Sequence, residues 1–468
     1  MTRRRWCAPV GVASALLALG TASAQAAAAA DQLIDAAVGD SAAYRRLALF
    51  VDTFGNRPSG SERLERAIDW VVAEMKRDGL ENVHTEPVRV PHWERGAESA
   101  ELTSPRHVRL AMLGLGLSVG TPPAGITAPV LVVTDFANLR ARAAEARGKI
   151  VLYDFPFDPD KKPFEAYGEA VQYRGSGADS ASQFGAVAIL VRSVTPMSLR
   201  SPHTGAMHYG DSTGRVKHIP AAAVSVEDAE MLHRMQDRGT RMVVTLKMGA
   251  RTLSPAPSRN VVAEVHGSTH PGDVIVMGGH IDSWDVGQGA MDDGGGSVAT
   301  WEALRLIKRL GTRPKRTIRV VLWTNEESGL AGGRGYRDAH LSEINRHVLA
   351  IESDNGVFRP TGIRVNGTEG AMTAVRGVMA PLARIGVTTA EPGQPEADVS
   401  PLSELGVPTA ALEVDGSRYF WYHHSEADMV DKLDPADMAR CVAALAVLAY
   451  GVADLEETLP RGRAATTR

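Results

Sequence analysis

Cysteine is nearly absent: the 468 residues include two, Cys7 and Cys441. A chain this poor in thiols carries neither a disulfide framework nor a cysteine metal cage. Any bound metal must then be held by imidazole and carboxylate. Positive charge is not in excess either, with 51 Lys and Arg against 55 Asp and Glu and a formal net charge of −4. That sign argues against nucleic acid, which is held by basic surface. The apolar stretch at residues 10–19 is too short to span a bilayer. No internal repeat or low-complexity tract occurs beyond the amino-terminal segment and the polar tail after Pro460.

The short apolar stretch follows Arg3, Arg4 and Arg5 and precedes Ala22-Ser23-Ala24. Charged, apolar and small residues in that order make a secretory signal peptide. The expectation is a leader at 1–24, cleaved after Ala24, and an exported protein, periplasmic or secreted, with no stable membrane insertion once the leader is gone. The arginine triplet invites a twin-arginine reading, but the residues after it match that pattern poorly. Cys7 does not stand where a lipoprotein attachment cysteine would. Loss of the leader leaves Cys441 alone and, by removing three arginines, takes the formal charge to −7.

The remainder, 44% apolar and 23% charged over the full chain, is ordinary globular composition for two to three domains. Residues 31–79 carry helical periodicity broken by Asn56-Arg57-Pro58-Ser59-Gly60, and residues 83–105 are strand-like. We read 25–124 as the first part of a catalytic domain and 125–250 as a separate inserted unit of short apolar runs. Ser254-Pro255-Ala256-Pro257-Ser258 has the composition of a linker, and 255–468 is the main catalytic domain. From Asn260 onward strand and helix alternate, which predicts an α/β fold with a mixed, mostly parallel sheet flanked by helices.

The chemistry lies where those strands end. His280-Ile281-Asp282, Asp292-Asp293 before Gly294-Gly295-Gly296, Glu326-Glu327, Glu352-Ser353-Asp354 and His423-His424 each follow an apolar run or lie in the loop beyond it. Ligands of open α/β sheets sit outside the carboxyl ends of the strands, so these residues converge on one rim. Two divalent ions about 3.5–4 Å apart need a carboxylate between them and imidazole and carboxylate at either side. The donor types allow His280 and Asp354 on one ion, Glu327 and His424 on the other, and Asp292 as the bridge. Glu326 is left over as general base. Asp282 is placed to accept from the second ring nitrogen of His280 and fix its tautomer. Asp293 is equally suited to capping the following helix. Taken singly, an H-x-D pair, an acid pair or a His pair is more often a surface or packing feature; the reading rests on all of them together.

These motifs, in this order, resemble the di-zinc aminopeptidase family of metallopeptidases, and within it the branch of carboxypeptidases that cleave dipeptides. The stretch 278–296, Val321-Leu322-Trp323-Thr324-Asn325-Glu326-Glu327, Glu352-Ser353-Asp354 and His423-His424-Ser425 carry the likeness. The resemblance implies a Zn-exopeptidase fold of the phosphorylase/hydrolase-like type, interrupted by a protease-associated-like domain. It implies two zinc ions per chain, dipeptide or short-peptide substrates with free termini, and a homodimer. Motif matching puts His280, Asp292, Glu327, Asp354 and His424 at the ligand positions, Glu326 at the base and Asp282 behind His280. Many relatives have tyrosine before the last histidine ligand as an oxyanion donor; this chain has His423, which takes that role in our reading.

Three other readings are carried with it. A broader aminopeptidase differs in how it treats the carboxyl terminus. Glutaminyl cyclases share the fold with one zinc, and receptor-like ectodomains share it as binding modules that have lost ligands. The full ligand set favours an enzyme with two metals. Glu413, Asp415, Arg418 and Arg334 are candidates for binding a free terminus.

Overall fold

The computed structural model describes residues 27–210 and 217–462. The expected leader and its cleavage site lie outside the described residues.

Two eight-stranded sheets organise the chain. The first runs, in spatial order, Glu81–Glu94, Arg251–Val265, Arg316–Trp323, His270–His280, His347–Glu352, Thr409–Val414, Pro360–Asn366 and Thr389–Pro392. Its four central strands are mutually parallel, with His280 paired to Trp323, Gly278 to Glu352 and Glu352 to Ala411. Antiparallel pairings flank them, so the sheet is mixed, with its parallel part at the centre.

Helices cover it because their sequences bury one stripe. In Glu62–Arg77 the residues Leu64, Ala67, Ile68, Val71 and Met75 are buried. Ser61 accepts from Leu64 N at its start, and Lys76 and Arg77 face the negative end of its dipole. The helix Pro435–Asp454 is apolar enough to span a membrane, yet most of it is buried against the core. Its many alanines bring it close to Gly295–Leu310, the helix that starts at the glycine run.

The second sheet runs Val108–Leu110, Glu98–Ser104, Val243–Met248, Ile126–Val133, Ile150–Tyr153, Ala188–Arg192, Ala221–Val224 and Met112–Gly114. The strands between Glu98 and Met248 therefore belong to it, whereas the sequence reading drew its edge at 125. Glu98–Ser104 pairs antiparallel with Val243–Met248, a contact between distant segments that local composition does not reveal.

The supposed linker is also strand. Ser254 to Ser258 lie within Arg251–Val265, paired with Glu81–Glu94 through Val90↔Ala256, Arg89↔Pro257 and Val88↔Ser258. The other neighbour of that strand pairs only with Val261 to Val265. The prolines thus sit where one side of the strand has no ladder to lose.

Candidate metal centre

His280 ends a central strand, and Glu326, Glu327 and Asp354 lie in loops just beyond its two parallel neighbours. Asp292 comes from the irregular segment 290–294 before the glycine-started helix, in which the Asp292–Asp293 peptide is cis. His424 has a left-handed backbone, φ 59°.

The side chains converge. His280 Nε2 is 3.2 Å from Asp292 Oδ1 and 3.2 Å from Asp354 Oδ1. His424 Nε2 is 3.3 Å from Asp292 Oδ2 and 3.1 Å from Glu327 Oε2. Two groups of donor atoms, each within 4.8 Å of one another, share Asp292: one with His280 and Asp354, the other with His423 and His424. His423 Nε2 is 3.6 Å from Asp292 Oδ2, and its ring stacks on that of His424 at 3.5 Å.

These residues fit cations. Asp292 Oδ2, Glu327 Oε1 and Asp354 Oδ1 are buried oxygens without a hydrogen-bond donor, which is costly for carboxylates unless a charge is supplied. Desolvation and the neighbouring carboxylates of Asp354, Asp398 and Asp292 hold the Glu326 carboxyl well above its usual range, against the pull of His280. Glu327 is raised the same way, by desolvation and then Asp292. Burial opposes charging of His280, but Asp354, Asp282 and Asp292 lift it well above the usual value. A divalent ion inverts this balance and lets the acids ionise together.

The supporting contacts explain how the loops are held. Asp293 accepts from His280 N at 3.0 Å and from Gly296 N at 2.9 Å, the capping geometry weighed from the sequence. A Cβ on Gly296 would overlap the Ser353 carbonyl, so glycine there lets the helix start meet the Asp354 turn. For Asp282 the detail differs from the expected carboxylate–histidine bond. His280 Nδ1 lies 3.0 Å from the Asp282 main-chain carbonyl, and the carboxylate is farther, at 3.7 Å. The carboxylate instead accepts from Glu326 N and Ser59 Oγ, each at 3.1 Å.

Several participants had no sequence signal. Arg57, read as part of a turn, is fully buried and donates to the carbonyls of Ile281, Gln288 and Gly289, each at 2.8 Å, clasping the loop after His280. Asp428 accepts from Ala290 N, Met291 N and Asp292 N. Burial, and then the Asp292 carboxylate, push its carboxyl up to about 7.

From the second sheet's lobe, His203 Nδ1 reaches the His423 carbonyl at 2.6 Å, and Arg174 Nη1 lies 3.3 Å from His424 Nδ1. Nothing local marks Arg57, His203, Arg174 or Asp428, which lies beyond the short helix Tyr419–Tyr422 and not at a strand end.

A cleft of about 380 Å³ opens over the centre, lined by Asp292, Glu326, Glu327, Asp354, Tyr419, His423 and His424 and by Tyr167 and Arg174 of the other lobe. Arg334 lines it too. The remaining candidates for a terminus do not: Glu413 pairs with Arg364 and Asp415 with Arg359, while Asp415 and Arg418 line a separate concavity.

Comparison with known proteins gives the family. Residues 260–449 match the model of peptidase family M28. The chain is 51% identical to carboxypeptidase Q of Xenopus laevis over 92% of this chain and 91% of that protein. It is 50% identical to carboxypeptidase Q of Homo sapiens, over 89% and 86%. Among solved structures, a peptidase M28 precursor from Shewanella amazonensis SB2B superposes with a TM-score of 0.90 at 36% identity, covering 94% of this chain and 99% of that one. A zinc aminopeptidase from Bacillus subtilis shares the fold, with a TM-score of 0.63 at 20% identity over 87% of this chain and 93% of that one. The chain therefore belongs to peptidase family M28 and is a metallo-exopeptidase.

Proposed function

We propose that the protein is a two-zinc exopeptidase that hydrolyses dipeptides or short peptides with free termini. The observation that carries this reading is the place of Asp292, with His280 and Asp354 meeting at its Oδ1 side and His424, itself against Glu327, at its Oδ2 side. One ion would be held by His280 and Asp354 and the other by Glu327 and His424, with Asp292 common to both. Bound there, the ions supply Lewis-acid polarisation of a peptide carbonyl and lower the pKa of a water in the cleft.

The chain's own residues do the rest. Glu326, held at its main chain by Asp282, takes the proton of the attacking water on its carboxylate and returns it to the departing amine nitrogen. His423 lines the same cleft and donates to the oxygen that gains charge as the carbonyl becomes tetrahedral. The Thr204 carbonyl and the Arg174 guanidinium both face His424 Nδ1, which leaves Nε2 as the ligating atom. The lobe of the second sheet acts as a protease-associated-like domain that closes one wall. The order of residues 1–24 supports export to the periplasm or beyond, and the identity to carboxypeptidase Q supports a homodimer.

The test is hydrolysis of one dipeptide in four forms, with both ends free, amine blocked, carboxyl blocked or both blocked, by protein of measured zinc content. Cleavage confined to the doubly free form at two zincs per chain is the expected result. Tolerance of a blocked carboxyl would indicate a broader aminopeptidase, and one zinc per chain with cyclisation of amino-terminal glutamine would indicate a glutaminyl cyclase.

A further inference from the structure

The charges lining the cleft do not balance. Asp292, Glu326, Glu327 and Asp354 supply four negative charges, which two divalent cations would neutralise. Arg174 and Arg334 line the same cleft. Among the described residues, neither forms an ion pair with an acid. Arg174 enters on the helix Pro163–Ser182 and is 8% exposed. Its Nη1 and Nη2 donate to the Thr204 carbonyl and the Tyr167 hydroxyl, and its Nε has no acceptor. A buried guanidinium with only neutral acceptors makes the cleft favourable to an anion, but Arg174 is walled in by those contacts.

Arg334 is placed differently. It lies in the first turn of Ala331–Ala339, just beyond the loop that carries Glu326 and Glu327, and is exposed. Its one side-chain hydrogen bond among the described residues runs from Nη1 to the Gly329 carbonyl at 2.7 Å. That bond ties the guanidinium to the loop and leaves Nε and Nη2 open. The open edge offers parallel N–H groups, the match for a carboxylate.

We propose that Arg334 binds the free α-carboxylate of the substrate and so makes the cleft select dipeptides by their carboxyl terminus; this rests on the exopeptidase reading above. In a dipeptide the carboxylate carbon is two bonds beyond the departing nitrogen. The group that binds it must therefore lie close to the base that protonates that nitrogen, and Arg334 lines the same cleft as Glu326 from the helix that follows its loop. A longer peptide offers a neutral amide at that point and leaves the excess positive charge unmatched.

The experiment compares kcat/KM for one dipeptide and its carboxyl-terminal amide in the wild type, Arg334→Ala and Arg334→Lys, with zinc content and Tm measured for each. The acid-to-amide ratio should fall about 10- to 100-fold in Arg334→Ala, the loss of a charge-assisted contact, and recover in part in Arg334→Lys, which keeps the charge without the fork. An unchanged ratio in a metal-replete alanine variant overturns the assignment while leaving the exopeptidase reading intact. A wild type that cleaves neither acid nor amide overturns both. If the alanine variant loses metal, Arg334→Gln decides, since its amide can keep the Gly329 contact.

Discussion

Thr204 grips His424 at two points: its N–H donates to the His424 carbonyl at 2.8 Å, and its own carbonyl lies 3.3 Å from His424 Nδ1. The first contact steadies a non-glycine residue in the left-handed region. The second, with the Arg174 guanidinium 3.3 Å from the same nitrogen, occupies Nδ1 and turns Nε2 to Asp292 and Glu327. The lobe built on the second sheet thus reaches into the candidate metal centre as well as covering it.

His203→Ala tests that grip, because it removes the Nδ1 contact to the His423 carbonyl without touching a candidate ligand. Zinc affinity should drop about 10-fold or more, as it does when a partner behind a ligand is lost. A competitive zinc titration on the folded variant measures it; wild-type affinity would show that this lobe does not steady the histidine pair.

Glu326→Gln should keep both zincs and the wild-type Tm while kcat falls about 10²- to 10⁴-fold, the usual worth of a positioned acid–base group. Steady-state kinetics beside metal analysis separates loss of the base from loss of the centre. Full activity in the variant would refute the role given to Glu326.

His423→Ala should lower kcat by about 10²-fold, the cost of one oxyanion donor, with zinc retained. His423 is also close enough to Asp292 to join the second donor group. Loss of one zinc in this variant would therefore reassign it from donor to ligand.

The pH dependence of stability should include a term from His347, far from the cleft. Burial pushes its imidazole down to about 4, with Nε2 against the Tyr336 hydroxyl at 3.0 Å. Its folded pKa lies below the unfolded value of about 6.5, so the unfolded chain takes up the proton first. Stability from this group is complete above pH 6.5 and is lost as pH falls towards 4, by roughly 3 kcal/mol in all. Denaturant melts at pH 7 and pH 5 should show the loss in the wild type and a smaller one in His347→Asn; equal losses would exclude His347.

Removing metal should destabilise the fold around the orphaned carboxylate oxygens. Binding to the folded state alone adds about 2.7 kcal/mol at a hundredfold excess over Kd, so chelation should lower Tm and two equivalents of zinc should restore it. Recovery complete at one equivalent would argue against a second site.

The strand-end positions of His280, Glu326, Glu327 and Asp354 were legible because parallel strands bring their carboxyl ends to one rim whatever their order in the sequence. Asp293 as a helix cap was legible from the glycine run after it. The outer strands were not: Pro255 and Pro257 looked like a linker because proline is tolerated wherever a strand lacks a neighbour, and only the long-range pairing with Glu81–Glu94 shows that such a place exists.

By itself the sequence determined the donor types, the order in which they meet the sheet, and the exclusion of a cysteine metal cage. Tertiary structure alone decided which atoms meet. That Asp292 is shared by both groups, that the carbonyl of Asp282 rather than its carboxylate lies nearest His280, and that Thr204, His203 and Arg174 crowd the last histidines all depend on strand register and on the docking of one lobe against the other. Those contacts join residues up to 250 positions apart, and no local pattern encodes a distance across that separation.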